Sequence, residues 1–121
     1  MALSAAMLLA LPAIAEQARP SVRLLVQSSP LAGFRYHAAV QVWDELHVGD
    51  TLDLSREPDN PYDSNAVSVS WRGRKLGYVP RRENAALAWG IDRGERLLAR
   101  ISRLSPHPNP ARRLEFEVYI E

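Results

Sequence analysis

The segment Arg56-Glu57-Pro58-Asp59-Asn60-Pro61-Tyr62-Asp63-Ser64-Asn65-Ala66 is the most unusual in the chain, with three carboxylates, two prolines and a tyrosine. Carboxylates so close together could bind calcium, but the spacing Asp59, Pro61, Asp63 puts proline where an oxygen ligand is needed, and Ser64 stands where a calcium loop turns on glycine. They could serve hydrolysis as an acid and base, yet no nucleophile accompanies them. A zinc site finds only His37, His47 and His107, widely scattered, and no cysteine. What the residue types do support is a rigid turn. Pro58 and Pro61 fix φ, and Asp59, Asn60, Asp63 and Asn65 can close Asx turns onto the backbone. Such a turn holds Tyr62 and Asp63 in place beforehand, which suits a binding site.

Arginine is the second chemical signal. Fourteen of the fifteen basic residues are arginine and one is Lys75, while the formal net charge is only +1. Charge is segregated along the chain. Asp44–Asp63 holds seven acids and one base, Arg56, whereas Arg72–Arg113 holds eleven bases and three acids. Arg72, Arg74 and Lys75, the pair Arg81-Arg82, and the pair Arg112-Arg113 form a candidate basic face, because the planar guanidinium donates two parallel hydrogen bonds to phosphate. The alternative is a solvated surface whose two halves attract each other. Trp43, Trp71 and Trp89 read as core or barrel-rim residues. No catalytic, cofactor-binding or metal-ligating set is identified, and the chain reads as a binding module rather than an enzyme.

These residues need a scaffold, and 121 residues allow one domain. Leu52 and Leu54 within Thr51–Arg56, and the alternation in Ala66–Trp71, predict half-buried strands. Arg72-Gly73-Arg74 predicts a hairpin turn, with Lys75–Val79 returning until Pro80 stops it. Val22–Gln27 predicts a first strand ended by Ser29-Pro30, and Phe34–Trp43 a second strand region. Arg81–Asp92 is the one helical candidate, with Gly94 just past its end. Glu95–Leu104 and Leu114–Ile120 are the last strands, separated by a loop over Ser105–Arg113. The expected fold is therefore mainly β: a small OB-like β-barrel of about six short strands with one or two helices.

Residues 1–15 carry no charge. Ala5–Leu11 is an unbroken apolar run, and Ala13-Ile14-Ala15 is a small-x-small triplet before Glu16. No Lys or Arg precedes the run, but the rest matches a secretory signal peptide; the alternative is an apolar helix packed on the domain. Residues 16–30 read as a linker and first strand, and 31–120 as the domain. Cleavage after Ala15 implies a secreted or periplasmic protein; otherwise it is cytoplasmic. The longest apolar run falls short of the ~20 residues that span a bilayer.

Gly33-Phe34-Arg35-Tyr36, the block Arg56–Val67, and Lys75-Leu76-Gly77-Tyr78-Val79-Pro80-Arg81 together resemble the HIRAN domain, over about three quarters of the chain. The resemblance implies an OB-like barrel with two helices and a single-stranded DNA binder that captures a free 3′ end. It implies that Arg35 and Tyr36 lie beside the terminal nucleotide, that Tyr62 and Asp63 follow in the turn, and that Asp63 accepts the 3′-hydroxyl proton. Tyr78 is implied as a pocket residue, with His37 and Arg81 beside it. His37 stands where DNA-binding members carry a second tyrosine, and the loop 105–113 is rich in proline and arginine rather than apolar. The alternatives for these residues are structural: Tyr36 and Tyr62 packed over the barrel mouth, Asp63 capping its turn, and Arg35 paired with an acid. A single-stranded DNA partner and a monomeric state are expected. The second class of function is an exported protein- or ligand-binding module on the same barrel.

Overall fold

The computed structural model describes residues 22–121, so the signal-peptide segment lies outside the described residues. Six strands form one antiparallel sheet: β1 (Leu24–Pro30), β2 (Thr51–Arg56), β3 (Val67–Trp71), β4 (Arg74–Tyr78), β5 (Leu97–Leu104) and β6 (Leu114–Ile120). Their order across the sheet is β1-β6-β5-β2-β3-β4. The sheet coils on itself without closing. Its two edges meet at one isolated bridge, where Ala32 and Tyr78 exchange both backbone hydrogen bonds at 2.9 Å.

The strand periods explain the core. Leu114, Phe116 and Val118 alternate inward on β6, and they meet Ala99 and Ile101 of β5 and Leu52 of β2. β3 is buried on both faces except at Ser70. Arg72 (φ 47°) and Gly73 (φ 78°) both occupy the left-handed region, which makes the β3–β4 connection a type I′ hairpin.

Two short helices accompany the sheet, α1 (Ala39–Val42) and α2 (Ala85–Asp92). The expected strand at Phe34–Trp43 is corrected here. The chain forms a 3-10 turn at Phe34–Tyr36, then α1, then a second 3-10 turn at Trp43–Glu45. The buried residues Ala39, Val42 and Leu46 recur at helical spacing, and Gly33, at φ 77°, turns the chain before them. A second correction concerns Ser29-Pro30, which does not end the first strand. β1 runs through Pro30, opposite Glu115 of β6. Proline is tolerated there because β1 is an edge strand with one neighbour. Arg81–Glu83 forms a 3-10 turn, and the helix proper begins after Asn84.

Candidate nucleic-acid interface

The turn between β2 and β3 is built by its own side chains. Asn60 Oδ1 accepts from the Tyr62 N–H at 2.9 Å, and Asp63 Oδ1 accepts from the Asn65 N–H at 2.9 Å. Two of the four expected Asx residues thus close the turn. Arg56 fastens it from below, donating to the carbonyls of Ser64 and Ala66, both at 3.0 Å, and to the Asp92 carboxylate of α2 at 3.0 and 3.3 Å. With its backbone held, the turn projects Tyr62 into solvent, 84% exposed.

Between this turn, β4 and the segment Ala32–His37 lies a cavity of about 470 Å³, within the range of about 300–1,000 Å³ that takes small ligands. His37, Tyr62, Asp63, Tyr78 and Arg81 line it together with Asn60, Pro61 and Val79. Five of the seven expected pocket residues therefore converge. Arg35 and Tyr36 line a separate hollow of about 220 Å³ with Gly33, Asn109 and Pro110. Tyr36 is 77% exposed, so neither Tyr36 nor Tyr62 is packed down over the barrel mouth. Arg35 forms no ion pair among the described residues.

A charged network ties two of the lining residues, Tyr78 and Asn60, to Glu57 and Lys75. Lys75 Nζ donates to Glu57 Oε2 at 2.7 Å and to the Tyr78 hydroxyl at 3.0 Å. The Tyr78 hydroxyl donates to Glu57 Oε1 at 2.9 Å, and Asn60 Nδ2 donates to the same oxygen at 3.1 Å. Burial pushes the Glu57 carboxyl up, but hydrogen bonds from Lys75, Tyr78 and Asn60 outweigh it and hold the group below its ordinary value. Lys75 is raised by its bonds to Glu57 and Tyr78. His37 packs edge-on against Tyr78, with ring centroids 5.4 Å apart. Burial, then the nearby Lys75 charge, lowers its pKa below 6.5, so the ring is neutral at pH 7. His37 thus offers the cavity one donor and one acceptor but no charge.

Of the expected basic face, Lys75 is committed to Glu57. Arg113 is turned inward, donating to the His107 carbonyl at 2.7 Å with its guanidinium over Phe34. Arg72 lies over the Trp71 ring, at the hairpin tip with Arg74. Arg81, Arg82 and Arg112 are exposed and make no ion pair among the described residues. Of these basic residues, Arg81 is the one that lines the cavity. Trp71 is buried and donates to Asp50 Oδ2 at 3.1 Å, and Trp43 packs edge-on to Phe34. Trp89 is 56% exposed on α2, contrary to a core position.

Sequence reading missed Asn84. Its side chain is 2% exposed, and its Nδ2 donates to Asp63 Oδ2 at 2.7 Å across 21 positions of sequence. The only local signal was an asparagine ahead of Ala85-Ala86-Leu87, which by itself reads as a helix cap.

A scan against protein-family models matches the HIRAN domain over residues 24–121. The chain belongs to the HIRAN domain family. The rabbit helicase-like transcription factor (Oryctolagus cuniculus) is 35% identical over 78 residues, 64% of this chain and 7% of that protein. Its mouse counterpart (Mus musculus) is 35% identical over 63 residues, 51% of this chain and 6% of that protein. This HIRAN chain thus matches only a small part of the length of these relatives. Among solved structures, a protein from Lactobacillus plantarum superposes with a TM-score of 0.71 at 31% identity, covering 82% of this chain and 95% of that one. The HIRAN domain of human HLTF superposes with a TM-score of 0.59 at 22% identity, covering 81% and 76%, a likeness of fold.

Proposed function

We propose that this HIRAN domain is a non-catalytic nucleic-acid-binding module, and that its cavity takes the free 3′ end of a single strand. Membership of the family supports the nucleic-acid part. One observation carries the end preference: the Asp63 carboxylate is held at the cavity, beside the exposed Tyr62 ring and the Arg81 guanidinium. A base stacks on an exposed aromatic face for about 1–3 kcal/mol without its sequence being read. A fixed carboxylate repels a phosphate and accepts a hydrogen bond from a hydroxyl. An interior phosphodiester has no hydroxyl to offer at the 3′ oxygen, whereas a free end does. Arg81 supplies the compensating positive charge on the same cavity.

The test is Asp63→Ala, assayed by competition between oligonucleotides ending in a 3′-hydroxyl and a 3′-phosphate. The unmodified chain favours the hydroxyl end by about tenfold or more, the factor carried by one hydrogen bond to a charged group. In Asp63→Ala the two ends bind alike. Equal competition by both ends in the unmodified chain refutes the reading.

A further inference from the structure

We infer that Asn84 is the positioning residue that sets which end group the cavity accepts, by aiming the Asp63 carboxylate; this rests on the reading that Asp63 meets a terminal hydroxyl. An asparagine at the start of a helix ordinarily accepts a hydrogen bond from an amide of its own first turn. Asn84 precedes α2, yet its side chain makes no such bond. The amide instead leaves its own helix and reaches Asp63 Oδ2 at 2.7 Å, while Asp63 Oδ1 is held by the Asn65 N–H at 2.9 Å. Two donors on two different oxygens fix both the direction and the rotation of the carboxylate. A carboxylate accepts at about four lone-pair positions, so acceptor capacity remains for a ligand hydroxyl.

The bond is not simply a fastening of the turn. Arg56 already anchors the turn backbone through the carbonyls of Ser64 and Ala66 and ties it to the far end of α2 through Asp92. Removing the Asn84 amide therefore releases the Asp63 side chain while Arg56 still holds the backbone. Asn84 is also buried, so water does not readily take over as donor. Unlike a lysine or histidine in its place, an amide holds the carboxylate without adding a titrating charge.

The experiment is fluorescence anisotropy on the full chain with 3′-hydroxyl and 3′-phosphate oligonucleotides, comparing the unmodified protein with Asn84→Leu. The variant keeps its affinity for the phosphate strand and loses about tenfold of the preference for the hydroxyl strand. Full preference retained in Asn84→Leu overturns the assignment of Asn84 and leaves the Asp63 reading standing. No preference in the unmodified chain removes the Asp63 reading, and this inference with it. Because leucine against a carboxylate can cost the fold, the unmodified chain supplies an independent readout. The side-chain amide resonances of Asn84 shift when the hydroxyl strand saturates the site and stay in place with the phosphate strand. Amide resonances unmoved by the hydroxyl strand at saturation also overturn the assignment.

Discussion

Glu57 accepts hydrogen bonds from Lys75, Tyr78 and Asn60, and the same Tyr78 packs edge-on against the ring of His37. The two groups respond to acid in separate windows. The folded pKa of His37 lies below 6.5, so as pH falls from that value the unfolded chain takes up a proton before the folded one does, and stability drops. The folded pKa of Glu57 is also depressed, so its contribution is present above 4.5 and is lost as pH falls through the folded value. Lys75 is raised, and its contribution is lost only as pH climbs above 10.5 and through its folded value. Urea denaturation across this range should therefore show two acid-side losses. His37→Tyr should remove the one that starts near 6.5 and leave the lower one, and Glu57→Gln should do the reverse. An unchanged upper loss in His37→Tyr would place that titration elsewhere. At this scale the sequence was informative about types and poor about partners. Tyr62 and Asp63 stood out because prolines and Asx residues flank them within a few positions. Asn84 and the Glu57–Lys75 pair did not, because each partner lies on a different element.

Gly77 shows what the elements require of one another. A Cβ at this position would come within 2.2 Å of the Ala32 carbonyl oxygen, and that oxygen accepts one of the two hydrogen bonds by which the sheet edges meet. The contact is with backbone, so no side-chain rotation relieves it. Gly77→Ala should lower stability by about 1–3 kcal/mol or more, as overpacking does, and should loosen the cavity, since Ala32 and Tyr78 both line it. Chemical denaturation with oligonucleotide binding in parallel checks this; a variant as stable as the parent would mean the edges do not need to meet. The strands were readable because alternation over Thr51–Arg56 and Leu114–Ile120 follows directly from burial of one face. Phe34–Trp43 was misread because its alternation is loose, while the helical spacing of Ala39, Val42 and Leu46 extends past the segment considered. The Ala32–Tyr78 bridge has no sequence signature, since it joins residues that only the coiling of the sheet brings together.

Across the whole molecule, eleven bases over Arg72–Arg113 overstate the field that a polyanion meets. Glu57 neutralises Lys75, and Arg113 is spent on the loop it clamps. Arg81 and Arg82 remain exposed next to the cavity, where they also line an adjoining hollow with Ala32 and Pro80. Each phosphate contact on a single strand contributes about 0.7 to the slope of log affinity against log salt. The double variant Arg81→Ala, Arg82→Ala should flatten that slope by about 1.4 if each arginine meets one phosphate. The most direct test of the account is an anisotropy titration of the full chain with a labelled single strand at two salt concentrations, its 3′ end either free or phosphorylated. The prediction is binding that weakens with salt and requires the free 3′-hydroxyl. Absence of binding at low salt, or equal binding of both ends, would contradict it.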